Sequence, residues 1–415
     1  MFVQKIAEIE KKLRKIFPAT PLEKSEFLSE KFGANIFLKR EDLSPVRSYK
    51  IRGAFHFFSE ILREKKNREK ILACASAGNH AQGFAFCCAH FGVRGEIFMP
   101  TTTPQQKVLR TKKFLKNFGK INFAGDVFDD SLAAAKNFCE KNDAIFVPPF
   151  DDEKIIDGDA TIAAEICAQL PEKKIDFLTV PVGGGGLLSG IAKFFAAKKI
   201  KTKIFPVESA AKKILQKSLS TKKNLTEKIS DNFCDGTAVQ KIGKKNWAIL
   251  QKFFSARDVQ ICAENRVAGT ILNLLFYDGI ILEPAGALAI DALKNLEKKI
   301  RGKNVVAIAS GGNFDFEKLP ETKERAANFR GTKKYFILQL PQRPGALREF
   351  LEILGPDDDI VRFEYLKKSA RNFGTVLLGI ETSQRENFQI LFQKIGKKFK
   401  FRDITDDEIL SNLIV

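Results

Sequence analysis

The chain has 415 residues, 44% of them hydrophobic and 29% charged, a globular composition that excludes a disordered or fibrous protein and, at about 150 residues per domain, predicts two or three folded units. No stretch approaches the roughly 20 uncharged apolar residues of a membrane span, and the charged N-terminal segment lacks the apolar core of a signal peptide. The 69 Lys+Arg against 50 Asp+Glu leave a net charge of +19, which raises a basic nucleic-acid binder as one reading.

The basic residues are scattered as doublets such as Lys65-Lys66, Lys222-Lys223 and Lys298-Lys299. No run of five or more forms an interaction arm, so neither a nucleic-acid nor a membrane partner is expected. Ile6, Ile9, Leu13 and Ile16 fall at helical spacing and predict an amphipathic surface helix. From about residue 34 to 210, short apolar runs alternate with helical patterns. NIFLK, ILACAS, EIFMP, INFAG, AIFVPPF, FLTVPVG and IFPVES read as strands. Between them lie the helix-like segments SYKIRGAFHFFSEIL, HAQGFAFCCAHFG, QKVLRTKKFLKNFG, SLAAAKNFCEKN, ATIAAEICAQL and LLSGIAKFFAAKK. This alternation predicts an α/β protein with right-handed crossovers and a mostly parallel sheet.

Residues 211–300 read as more helical apart from DVQIC, and NVVAIAS supplies one more buried strand before a glycine-rich turn. Residues 314–333 are polar, carry no strand signal and read as a neck after a first domain, 1–313. The remainder, 334–415, has its own pattern. Strand KYFILQL, helix ALREFLEIL, strands DIVRFEYLKK and FGTVLLGIE, helix ENFQILFQKIG and strand FKFRDIT give the βαββαβ order of a ferredoxin-like unit.

Seven cysteines form no CxxC pair and only three histidines are present, so no zinc set is expected. The odd count argues for reduced thiols and a cytoplasmic location. Cys87 and Cys88, in an apolar helical stretch, read as buried and inert.

Three glycine-rich turns each follow a strand: SAGNHAQG (76–83), GGGG (183–186) and SGGN (310–313). Ligands of parallel sheets bind outside the carboxyl ends of the strands, where such turns lie. Gly183, Gly184, Gly185 and Gly186 run directly into a helix, so their amides and the helix N-terminus predict a phosphate cradle. The turn lacks the Lys-Ser/Thr pair of a Walker loop. Glu208 lies about 20 residues beyond it, as in a dinucleotide fingerprint, which leaves a dinucleotide-dependent oxidoreductase open; the late position of the turn counts against it. Lys50, in Ser48-Tyr49-Lys50 before a helix, is by itself unremarkable in so lysine-rich a chain.

REDLSPVRSYKIRGA, ASAGNHAQG, VPVGGGGLLSG, EPAGALA and ASGGN occur in one order along the chain. In that order and spacing the chain resembles the pyridoxal-phosphate enzymes of the tryptophan-synthase-β fold type, and among them most closely the biosynthetic threonine dehydratases (threonine ammonia-lyases). The C-terminal unit, with its PQRPGALREFLE turn and helix, resembles their single ACT-like regulatory domain. The resemblance implies a two-lobed fold type II catalytic region and pyridoxal 5'-phosphate as cofactor. Lys50 would bond covalently to the cofactor and, once released, remove the substrate α-proton. Gly183 to Gly186 and Leu187 would hold the phosphate, Asn79 the ring hydroxyl, and Tyr49 would pack on the ring face. Ser76, with Lys50 the other residue carried over as catalytic, would clasp the substrate carboxylate together with Ala77, Gly78, Asn79 and His80. His80 would order that loop rather than act as a base.

Ser310 would face the pyridine nitrogen; a neutral hydroxyl there makes the ring a weaker electron sink and suits β-elimination over transamination. By resemblance, the cofactor phosphate would protonate the departing β-hydroxyl, giving 2-oxobutanoate and ammonia from threonine. Serine racemases carry a second Ser where this chain has Ala77, so elimination without racemisation is expected. Glu208 sits where relatives hold a cation, but Ala211-Lys212-Lys213-Ile214 supplies no second acid, so no divalent metal is expected, and a monovalent cation is left open. The regulatory unit would bind isoleucine as effector, a plain dimerisation module being the alternative. Threonine or serine is the implied substrate, and a homo-oligomer, dimer or tetramer, the implied assembly. A serine dehydratase and a serine racemase are the rival readings within the resemblance.

Overall fold

Asn35–Arg40, the first long apolar run, becomes a strand with every residue after Asn35 buried in the computed structural model, which describes residues 1–170, 174–366, 372–405 and 407. The chain divides into two compact units, Met1–Asp315 and Phe316–Val415. The strands of the first unit are β1 (Leu22–Lys24), β2 (Asn35–Arg40), β3 (Leu72–Ala75), β4 (Gly95–Met99) and β5 (Gly119–Phe123), then β6 (Ile145–Phe146), β7 (Phe177–Pro181), β8 (Lys203–Ser209), β9 (Gln260–Cys262) and β10 (Asn304–Ala309).

They form two sheets, one per lobe. The six-stranded sheet runs β1-β2-β10-β7-β8-β9 and the four-stranded sheet β5-β4-β3-β6. Every pairing is parallel except the edge pair β1–β2. Parallel strands covered by helices on both faces bury all their side chains, and β3 and β4 are buried at every position. The chain leaves the larger sheet after β2, builds the smaller lobe, and returns at β7.

Three details differ from the sequence pattern. AIFVPPF pairs only at Ile145 and Phe146, after which Val147 donates to the Ala73 carbonyl and pairing stops; Pro148 and Pro149 have no amide hydrogen to continue the ladder. The N-terminal helix, Phe2–Leu13, ends before Ile16; its buried face is Ile6, Ile9 and Leu13, and Phe17 fills the place beyond. A further helix, Glu153–Asp159, stands where no apolar period announced one; the Asp152 side chain caps it by accepting from the Lys154 amide.

In the second unit, the polar segment expected as a neck holds the helix Leu319–Arg330, terminated by Gly331 at φ 69°. β11 (Lys333–Pro341), the helix Ala346–Leu351, β12 (Asp359–Leu366), β13 (Phe373–Glu381), the helix Asn387–Lys398 and β14 (Lys400–Asp403) follow. Lys367 and Lys368, the end of the expected strand DIVRFEYLKK, lie outside the described residues. The sheet order β12-β13-β11-β14 is antiparallel throughout, the order that a split βαβ unit requires. Its helices cover one face through Phe350, Phe388, Leu391 and Ile395, packed on Phe336, Leu338 and Val376.

Candidate active site

The lysine helix, Lys50–Ile61, begins where its preceding turn is pinned to the last glycine turn of the sheet. The Tyr49 amide donates to the Ser310 carbonyl at 3.1 Å and the Gly312 amide to the Arg47 carbonyl at 2.8 Å. The Ser44 hydroxyl closes the turn internally, accepting from the Ser48 amide at 2.9 Å and donating to the Ser48 carbonyl at 2.7 Å. Lys50 is therefore fixed at the carboxyl end of β10, beside SGGN. Its half-buried amine donates to the Pro149 carbonyl at 2.7 Å and lies 5.1 Å from the centre of the Tyr49 ring. Desolvation lowers the Lys50 pKa, while the negative charges of Asp159 and Glu283 oppose that shift. An amine so placed gives up its proton more readily than a solvated lysine.

The SAGNH turn leaves β3 and opens the helix Asn79–Phe91. The Ser76 hydroxyl accepts from the Gly78 amide at 3.1 Å. This helix crosses the lysine helix closely: a Cβ on Gly83 would stand 3.2 Å from the Lys50 carbonyl group. The Asn79 side-chain amide donates to Glu283 at 2.5 Å, and its oxygen accepts from the Asn313 amide at 2.7 Å. Burial pushes the Glu283 carboxyl up to about 7, with Asp235 adding to the shift. His80 Nε2 donates to the Val147 carbonyl at 3.0 Å, and burial, reinforced by the Lys50 charge, lowers its pKa to about 3. His80 is thus a neutral, loop-anchoring donor.

The four glycines follow β7 and open the cradle helix, Gly186–Ala197. Gly185 has φ 94°, in the left-handed region that favours glycine. A Cβ on Gly184 would stand 2.4 Å from the Phe150 ring, and one on Gly183 3.3 Å from Thr237 Cα. The Gly184 carbonyl accepts from the Gly243 amide and the Asn246 side chain, both at 3.0 Å. The second residue of the cradle helix, Leu187, is buried behind the turn. Gly184→Ala is expected to weaken pyridoxal phosphate binding about tenfold to a hundredfold, the scale of an overpacking cost of roughly 1–3 kcal/mol. Absorbance titration of the cofactor checks this; an unchanged affinity would remove the turn from phosphate binding.

Ser310 is buried and donates only a long, 3.4 Å hydrogen bond to the Ala285 carbonyl, which leaves its hydroxyl available to another acceptor or donor. The EPAG and SGGN segments touch directly: a Cβ on Gly286 would stand 2.1 Å from the Gly311 carbonyl oxygen. The residues suit pyridoxal phosphate. A lysine that burial favours as free amine, a glycine turn with no room for Cβ at a helix N-terminus, and a loosely engaged hydroxyl match an aldehyde, a phosphate and a ring nitrogen in turn.

Several contributors carried no assigned role in the sequence. Glu283 lies in EPAGALA but announces itself only by its contact with Asn79, 204 residues away. Asn313 ends the SGGN turn, and its role likewise appears only in space. Pro149 and Phe150, which face Lys50 and Gly184, sit in a stretch whose pattern reads as a strand. Glu208 is placed apart from these groups: it is fully buried, and its carboxylate accepts from the Leu215 and Gln216 amides at 2.7 and 3.0 Å, capping the helix Ile214–Thr221.

Residues 14–311 match the family of pyridoxal-phosphate dependent enzymes, and residues 324–414 match the C-terminal regulatory domain of threonine dehydratase. The chain is 44% identical over 405 residues to the biosynthetic L-threonine dehydratase IlvA of Halalkalibacterium halodurans, covering 97% of this chain and 96% of that protein. It is 41% identical over 415 residues to the IlvA of Bacillus subtilis, covering 100% and 97%. Among solved structures, the processed form of threonine deaminase isoform 2 from Solanum lycopersicum matches with a TM-score of 0.73 and 35% identity, covering 78% of this chain and 93% of that one. Maize serine racemase, at 24% identity and a TM-score of 0.70, shares the fold.

Proposed function

The chain belongs to the pyridoxal-phosphate-dependent enzyme family, and from that premise we propose that it is an ammonia-lyase converting L-threonine to 2-oxobutanoate and ammonia. The relatives' biosynthetic designation and the regulatory domain support a place at the start of isoleucine synthesis, with isoleucine as feedback inhibitor. The observation that carries the reading is the position of Lys50. One deprotonatable amine stands beside the SGGN turn, next to Phe150, which packs on the glycine cradle, and next to the helix that opens at Asn79.

Lys50 would hold pyridoxal phosphate, which would supply the electron sink that acidifies the substrate α-hydrogen. The protein's own groups do the rest. Gly183, Gly184, Gly185, Gly186 and Leu187 would present backbone amides to the phosphate at the cradle helix N-terminus. Asn79, oriented by Glu283 and Asn313, would donate to the cofactor's hydroxyl, Tyr49 would pack against its ring, and Ser310 would meet its nitrogen. The turn Ser76, Ala77, Gly78, Asn79, His80 holds the substrate carboxylate at a second helix N-terminus. The Lys50 amine, beside the SGGN turn, would accept the substrate α-proton. Ala77 has no proton to deliver from the opposite side, so the stereocentre is lost to elimination and not inverted.

Among the described residues no helix is long and apolar enough to cross a membrane. We place the enzyme in the cytoplasm as a homo-oligomer, in keeping with free thiols at every described cysteine. The deciding experiment follows 2-oxo acid formation from threonine and serine, with and without isoleucine, in the full chain and in a chain ending near residue 333. Turnover of threonine should depend on added pyridoxal phosphate. Isoleucine should inhibit the full chain and leave the shortened one untouched. Absence of 2-oxobutanoate would overturn the reading, and equal inhibition of both chains would take regulation away from the second unit.

A further inference from the structure

Asp159 ends the helix Glu153–Asp159 and is 1% exposed, yet among the described residues neither of its oxygens has a hydrogen-bond partner of good geometry. A buried, unpartnered carboxylate is costly unless a charge or a proton neutralises it. Its position is specific. A Cβ on Gly53 would stand 2.9 Å from Oδ1, and a Cβ on Gly186 would stand 3.3 Å from Oδ2. The carboxyl group is therefore wedged between the first turn of the lysine helix and the first turn of the cradle helix, where glycine on both sides leaves it room.

The charged groups that face it are Lys50 and Arg52 from the lysine helix and Glu41 from the turn after β2, with the Gly53 amide close enough to favour its ionised form slightly. Arg52 is already committed, donating to both oxygens of Glu41 and both of Glu165. Lys5 from the N-terminal helix and Lys193 from the cradle helix are both engaged by Asp157. Of the two cations that face Asp159 among the described residues, Lys50 is then the one left; it also faces Glu283, and it acts on His80. Desolvation raises the Asp159 carboxyl to about 7 and lowers Lys50, each opposed by the other's charge.

We propose that Asp159 is a positioning residue for Lys50, the counter-charge that holds its ammonium and thereby sets the pH at which Lys50 becomes free to bond the cofactor. The inference rests on the cofactor reading above. The glycines at 53 and 186 are then the steric condition for an acid at this place.

The test follows the rate of covalent pyridoxal phosphate attachment to the apoenzyme, from mildly acidic to mildly basic pH, in the wild type, Asp159→Asn and Asp159→Ser. Loss of the carboxylate removes the charge that keeps Lys50 protonated. The midpoint should therefore move towards acid by about one unit, raising the loading rate up to about tenfold around and above neutrality. Coincident midpoints in the three folded proteins would overturn the proposal. A second arm leaves Asp159 in place. In Lys50→Ala the cation is gone, so the infrared band of a buried protonated acid should grow at neutral pH relative to the wild type; an identical band would also overturn it. Failure of the wild type to take up any cofactor would instead count against the functional reading.

Discussion

Lys50→Ala is expected to lower ammonia release from threonine by at least about a thousandfold while leaving the protein folded. The loss follows from two duties that no neighbour can take over. Lys50 must bond the cofactor and then accept the α-proton. His80, on which the Lys50 charge acts, is neutral and spends its Nε2 hydrogen on the Val147 carbonyl. The fold should survive because the Lys50 side chain contributes one hydrogen bond, to Pro149, and alanine is the most favourable residue for a helix. Thermal unfolding by circular dichroism separates the two effects, and a small primary amine added to the variant should recover part of the rate. Retained turnover in the variant would remove Lys50 from both duties.

Arg52→Met is expected to have the largest effect on stability, about 3–5 kcal/mol, because it breaks a buried ionic network from its centre. Arg52 and Lys39 have fully buried side chains. Arg52 donates to Glu41 at 2.8 and 2.9 Å, to Glu165 at 2.6 and 2.9 Å, and to the hydroxyls of Thr161 and Thr20, both at 3.1 Å. Lys39 adds hydrogen bonds to Glu165 at 2.6 Å and to the Thr20 carbonyl at 2.6 Å, and Arg14 approaches Glu165 from the N-terminal segment. Methionine would leave two carboxylates facing each other with half their donors gone.

The same network gives the wild type an acid-sensitive window. Desolvation alone would raise the Glu165 carboxyl, but the charges and hydrogen bonds of Arg52 and Lys39 outweigh it and lower the group from 4.5 to about 2. A carboxylate depressed on folding stabilises fully above its unfolded value and loses that contribution as pH falls through its folded value. The network's stabilisation should thus decline between about pH 4.5 and pH 2, and the decline should be smaller in Arg52→Met. Urea midpoints across that range measure both effects. A variant as stable as the wild type at neutral pH would contradict the structural role given to Arg52.

Much of this could be read from local pattern. Buried parallel strands announce themselves as apolar runs, so β2, β3, β4, β7, β8 and β10 fall where those runs lie. The glycine turns mark their own positions because only glycine tolerates the left-handed backbone at Gly185 or the closeness of Phe150 to Gly184. Cys87 and Cys88, read as inert, are buried with their thiols pushed up by desolvation. What the sequence withheld is adjacency. Glu283, Asn313 and Asp159 look like ordinary polar residues, and only folding brings them to Asn79 and to the helix that carries Lys50. The prolines at 148 and 149 cut short an apolar run that looked like a full strand, and the short helix after them begins from a cap, Asp152, more than from any apolar period. The net charge is a property of scattered surface lysines, and none of the site's geometry depends on it.

The central claim is that one lysine among many carries the cofactor. Borohydride reduction of the purified, pyridoxal phosphate-loaded protein, followed by peptide mapping, tests it directly. The expected result is a single modified peptide bearing the pyridoxyl group on Lys50, with loss of the yellow absorbance. Modification at another lysine, or spread over several, would contradict it.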